Sequence, residues 1–165
     1  MDIDAFIARP GPLLRENLSQ WVAPELIEEA VRVFRNSFLA EGVSRIVPMP
    51  GAKRLELEIR RRGGRLVVIT SRIPRIARAC LHSAGLAADA VAGDLSGPAK
   101  GAAMKDHQVE VYIGDHPLDM AGAQAAGIPG IGVETGGYSQ GHLLSAGAAW
   151  VVQGLDDVVA ALSPS

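Results

Sequence analysis

A chain of 165 residues that is 48% hydrophobic and 21% charged has enough apolar side chains for one ordinary domain with its own core, which excludes a wholly disordered polymer. A formal net charge of −2 leaves no electrostatic footprint for nucleic acid or an anionic membrane surface. A single cysteine, Cys80, excludes an internal disulfide and fits a reducing cytoplasm, and no apolar run approaches membrane-spanning length.

Residues 1 to about 47 read as helical. The stretch "DAFIARPGPLLRENLSQWV" is a broken helical segment, with Pro10-Gly11-Pro12 as the break. In "APELIEEAVRVFRNSFLAEG", Leu26, Ile27, Ala30, Val31, Phe34 and Phe38 fall on one helical stripe. Pro24 sits at the first turn and Gly42 lies past the end.

From Pro48 onward, helices alternate with short apolar strands. The strand candidates are residues 65–70 ("RLVVIT"), 90–93, 109–113 ("VEVYI"), 130–133 and 149–152. Helical stretches are expected at 51–62, 73–84, 99–105, 118–126 and 139–146. "RLELEIR" has a local period of two, yet it reads as helix: Pro50-Gly51 opens it, Gly63-Gly64 closes it, and Ala52, Leu55 and Ile59 share a face. The alternation predicts an α/β fold with a parallel sheet covered on both faces. Ligands in such sheets bind beyond the carboxyl ends of the strands, where Thr70 and Asp115 both fall.

Three short stretches could carry chemistry. In "GDHPLD", Asp115 ends a buried strand, Pro117 can start a helix, and Asp119 lies in its first turn. Two carboxylates at one strand end suit magnesium, and they equally suit plain helix capping. In "VVITSR", Thr70 and Ser71 could meet a phosphate at a helix N-terminus or could only cap it. In "GPAKGAAM", Lys100 could bind phosphate or stand as a solvated surface lysine. The four histidines show no metal-ligand spacing; His116 lies beside the acids, and Tyr138 could line the rim of a site there. "RRRGGR" reads as a solvated helix end whose cations suit the C-terminal dipole.

Taken in order, Thr70, Lys100, Gly114-Asp115 and Asp119 resemble the haloacid dehalogenase superfamily, and within it the phosphoglycolate-phosphatase-like hydrolases. "GPLLRENL" (11–18) is similar to a segment of their helical cap, and "PMPGA" (48–52) to the entry back into the core. The resemblance implies a three-layer Rossmann-like core over residues 48–165, with residues 1–47 as a partial helical cap. It implies a phosphatase of small phosphate esters with Mg2+ as cofactor and a small phosphorylated metabolite as partner. Thr70 would hydrogen-bond the phosphoryl group, Ser71 would help to bind it, and Lys100 would bind phosphate and steady the nucleophile. Asp115 would ligate the metal and Asp119 would support it.

One departure stands out. The family's nucleophile follows a strand and reads Asp-x-Asp-Gly-Thr, well upstream of the cap, and the sequence starts downstream of that point. "MDIDAF" offers Asp2 and Asp4, but no apolar strand precedes them and Ala5-Phe6 stand where Gly-Thr is expected. In the family, that strand lies between those ending at Thr70 and Asp115. Leaving it out exposes buried ladder groups at roughly 1–3 kcal/mol each, on the order of 10 kcal/mol in all. That rivals the total stability of a typical domain, about 5–15 kcal/mol. Either the neighbours close up or another chain fills the gap, and an uncovered sheet centre favours a homo-oligomer. The alternative to a phosphatase is a non-catalytic module that binds phosphate or a partner.

Overall fold

In the computed structural model, which describes residues 13–162, helices and short strands alternate from residue 52 onward. Before that point lie α1 (Leu14–Leu18), α2 (Ile27–Ser37), a π turn at Phe38–Gly42 and a 3-10 turn at Val43–Arg45. The stripe expected on α2 is only partly used. Val31 is buried, whereas Leu26 and Phe34 remain 56% and 40% exposed. This helix and the two turns after it reach the rest of the chain through an ion pair, a cation–π contact and a hydrogen bond. Arg35 pairs with Asp94 at 3.4 Å, the Arg72 guanidinium lies 5.6 Å from the Phe38 ring centroid, and Ser83 Oγ donates to the Val43 carbonyl at 2.8 Å.

The ambiguous "RLELEIR" segment is α3 (Ala52–Arg61). Its apolar Leu55 and Ile59 pack inward, and Glu56 is buried with its carboxylate 2.7 Å from Lys53 Nζ. The arginines at its end are ion-paired rather than merely solvated: Arg61 and Arg62 with Glu58, and Arg60 with Asp89. There follow β1 (Val67–Ile69), α4 (Pro74–Ser83), β2 (Ala90–Ala92) and α5 (Ala99–Asp106). The second half contains β3 (Tyr112–Gly114), α6 (Pro117–Ala126), β4 (Gly130–Val133), α7 (Gln140–Ser145), β5 (Trp150–Val152) and α8 (Leu155–Leu162).

Two elements differ from expectation. The "VEVYI" strand starts three residues late, because Gln108 at φ 56° and the Val109 N–H donating to the Met104 carbonyl finish off α5. The first bond to the neighbouring strand then comes from the Tyr112 N–H to the Pro129 carbonyl. Helix α8 was not expected; Asp157 starts it by accepting from the Gln153 and Gly154 N–H groups at 3.0 and 3.1 Å.

All strand pairings are parallel. Strand β4 shows why helices cover both faces. Gly130 and Gly132 turn toward Met120 and Leu143 of α6 and α7, where a β-carbon would make tight contacts of 3.1 Å. Ile131, on the opposite face, packs with Leu55 of α3 and Val158 of α8. The ladder is nevertheless broken into a β1-β2 pair and a β3-β4-β5 sheet. Among the described residues no ladder joins β1 to β3, so the two strands have not closed up. Residues 1–12, including Asp2 and Asp4, lie outside the described residues.

Candidate functional site

Close helix contact builds the site. A β-carbon at Gly101 would come within 2.8 Å of Ala125 Cβ and 2.9 Å of the Gly122 carbonyl oxygen. One at Gly122 would come within 3.0 Å of the Gly97 carbonyl oxygen and 3.1 Å of Lys100 Cβ. Glycine on both surfaces lets α5 lie directly on α6, and Lys100 is trapped beside the first turn of α6. Its residue exposure is 8%, so the reading of a solvated surface lysine fails.

Lys100 Nζ lies 2.5 Å from Asp119 Oδ1. Both side chains are removed from water, and a buried charge persists only when paired and hydrogen-bonded. Tyr112 completes the cluster. Its hydroxyl donates to the Ile69 carbonyl at 2.9 Å and lies 3.4 Å from both Lys100 Nζ and Asp119 Oδ1. Burial, followed by the charge of Asp119, pushes the phenol well above its ordinary range, so it stays protonated and donates. Tyr112 thereby connects β3 to the backbone of β1 where no ladder exists. Sequence reasoning missed it. The available signal was a tyrosine in an otherwise apolar strand, whose hydroxyl needs a partner once buried.

Thr70 follows directly on Ile69. Its N–H donates to the Ala92 carbonyl, its carbonyl accepts from the Leu95 N–H, and its Oγ1 accepts from the Arg72 N–H at 3.2 Å. The backbone around the hydroxyl is therefore well held. Ser71 lies in the bend after β1, and the next helix begins only at Pro74, so Ser71 is not the helix start that the sequence suggested.

Asp115 follows β3, but it is not the cap of α6. His116 is: its Nδ1 accepts from the Leu118 N–H at 3.0 Å. The bland account of Asp115 as a helix cap thus loses its basis. Asp115 keeps an exposed side, yet its walls are close. A β-carbon at Gly136 would lie 2.6 Å from the Asp115 carboxylate, and one at Gly114 would lie 2.6 Å from Asp119 Oδ2. Crowding away from water, then repulsion from Asp119, raise the Asp115 carboxyl above the usual carboxylate range. A cation beside it would relieve both costs.

Among the described residues no group of three or more His, Cys, Asp or Glu side chains is placed to hold a metal. The donor set here is two carboxylates, one of them raised by burial and then by its neighbour's charge. That suits a hard cation that keeps several waters and takes only one or two protein carboxylates, as magnesium does. The sequence candidates Lys100 and Asp119 are thus in contact, with Asp115 close by and Thr70 one residue from the carbonyl that Tyr112 bonds.

Comparison with known proteins adds an independent line. The model of the haloacid dehalogenase-like hydrolase family matches residues 9–124. A phosphoglycolate phosphatase from Caulobacter vibrioides is 30% identical over 166 residues, covering 93% of this chain and 66% of the relative. The chain thus spans just under two thirds of that relative's length. The crystal structure of a predicted phosphatase from Clostridium acetobutylicum aligns at TM-score 0.81 and 26% identity, over 98% of this chain and 82% of that one. That of a predicted phosphoglycolate phosphatase from Haemophilus somnus aligns at TM-score 0.79 over 99% of this chain and 83% of that one; at 16% identity it speaks for the fold alone.

Proposed function

We propose, from the premise that this chain belongs to the haloacid dehalogenase-like hydrolase family, that it forms the core of a magnesium-dependent phosphatase acting on a small phosphorylated metabolite. Phosphoglycolate is the first substrate to try, because a relative with 30% identity carries that name. The observation that carries the reading is the burial of Lys100 against Asp119 at the ends of two strands. An ammonium removed from water beside a carboxylate is a costly feature for surface structure alone, and a useful one for a transferring phosphoryl group.

In this reading Lys100 offsets charge on the phosphoryl oxygens and Thr70 donates its hydroxyl to one of them. Ser71 adds a further donor. Asp115 and Asp119 would hold a magnesium ion, which when bound would supply positive charge against the developing phosphoryl oxygens. A carboxylate nucleophile would attack phosphorus and release the alcohol, and water would then cleave the acyl phosphate. That nucleophile is not among the described residues; an apolar strand ending in aspartate, seated between β1 and β3, would bring it to Lys100. Residues 13–47 would act as a partial cap that shapes substrate choice, with residues from 48 onward as the hydrolase core.

The test is phosphate release from phosphoglycolate and from a generic aryl phosphate with magnesium. It is run on this chain and on one extended upstream by its native coding sequence. Turnover that depends on Asp115, shown by its loss in Asp115→Asn, supports the reading; no turnover in either chain removes it. A second reading draws on the unjoined β1 and β3 edges. In it the chain binds phosphate or a partner, including a second copy of itself, without catalysis. Calorimetric binding of phosphate with no turnover would favour this second reading.

A further inference from the structure

The loop between β4 and α7, residues 134–139, is pinned at two places and presses on Asp115 between them. At its base, Glu134 Oε1 accepts from the Gln140 N–H at 2.6 Å. Near its other end, the Tyr138 hydroxyl lies 3.1 Å from His116 Nε2, and the two rings meet edge to face with centroids 4.7 Å apart. The Tyr138 ring is seated on the cluster of Met120, Leu143 and Ala148. Between the pins, Gly136 lies so close to Asp115 that an added β-carbon would meet its Cγ and Oδ2 at 2.6 Å and its carbonyl oxygen at 2.8 Å.

The hydrogen bonds of His116 define its role. Nδ1 accepts from the Leu118 N–H, so in the neutral ring the proton sits on Nε2 and is donated to the Tyr138 oxygen. One imidazole therefore caps the helix that carries Asp119 and also holds the loop that walls Asp115. Gly136 and Gly137, the latter at φ 82°, give that loop little intrinsic stiffness, so its position depends on the pins.

We infer that His116 and Tyr138 are positioning residues for the metal site: their mutual hydrogen bond latches the 134–139 loop against Asp115 and sets the direction of its carboxylate. The inference rests on the metal reading given under the proposed function. In this inference both side chains act through Asp115 rather than as ligands. Partners of this kind, one step removed from the ligands, typically govern affinity about 10- to 100-fold.

The test is manganese(II) binding, read by the electron paramagnetic resonance of free ion at fixed pH, with thermal unfolding recorded in parallel. Tyr138→Phe keeps the ring and its apolar seat but removes the hydroxyl. His116→Asn keeps a helix cap but removes Nε2. Each single variant is expected to weaken manganese binding about tenfold with unfolding nearly unchanged. The double variant should be no weaker than the worse single one, because both remove the same bond. Ser139→Ala, which removes only the 3.0 Å contact to His142, should bind like the parent. Parent-like binding in both single variants, or losses that multiply in the double, overturns the latch while leaving the metal reading intact. A parent chain that binds manganese no better than Asp115→Asn overturns the metal reading, and the latch falls with it.

Discussion

Replacing Lys100 with methionine tests the site through stability, without waiting for a substrate. Lys100 and Asp119 have side-chain exposures of 10% and 9%, and their charged atoms are 2.5 Å apart. At that separation and an effective dielectric of about 20, the gross attraction is about 7 kcal/mol, most of it offset by the cost of taking both ions out of water. Methionine removes the attraction and leaves the cost for Asp119, because the nearby Tyr112 hydroxyl, 3.4 Å from Oδ1, already gives its one proton to the Ile69 carbonyl. Lys100→Met should therefore lose about 3–5 kcal/mol, as expected for a buried pair cut on one side. For a chain of this size that is roughly 6–20 °C in melting temperature. Adding Asp119→Leu should restore most of the loss, because no uncompensated charge then remains. Urea unfolding at neutral pH, followed by circular dichroism, reads all three variants. A loss below about 1 kcal/mol in Lys100→Met would mean that the pair behaves as an exposed one, and the account of a buried phosphate-side lysine would fail.

Other perturbations have signed outcomes. The folded Asp115 carboxyl titrates above its ordinary value of 3.8, so the folded state holds that proton more tightly than the unfolded chain. Ionised Asp115 therefore subtracts stability at neutral pH, and the subtraction disappears as pH falls below the ordinary value. Asp115→Asn should melt above the parent near neutral pH in metal-free buffer, with the gap closing near pH 3; a variant less stable than the parent near neutral pH refutes the sign. Tyr112→Phe removes the hydroxyl that reaches the Ile69 carbonyl across the unjoined strands, and urea titration should show a loss of about 1 kcal/mol. Gly114→Ala would place a β-carbon 2.5 Å from Asp119 Cβ, a contact that no flexible side-chain end can yield, and should cost roughly 1–3 kcal/mol in the same titration.

Much of the fold is legible in the sequence. Pro50-Gly51 and Gly63-Gly64 bracket a helix over Ala52–Arg61 despite its strand-like local period, and the Pro117 helix start after Asp115 is present. The misses are equally instructive. The strand around Tyr112 was placed too early because its start depends on how α5 ends and on where the Pro129 carbonyl lies, a contact across the sheet. Leu26 and Phe34 follow helical periodicity yet stay exposed, since periodicity states which face is apolar, not whether anything covers it.

The candidate site divides the same way. Local pattern alone placed acids after one strand, a threonine after another and a lysine at a glycine-rich helix start, because strand ends and helix starts are written in a few adjacent residues. Burial of Lys100, the reach of Tyr112 to β1 and the double duty of His116 were decided by tertiary structure. Each depends on how closely two elements far apart in sequence approach, above all α5 on α6 at Gly101 and Gly122. A string of residues states which helices can come that close; only the packed chain states what charge they enclose when they do.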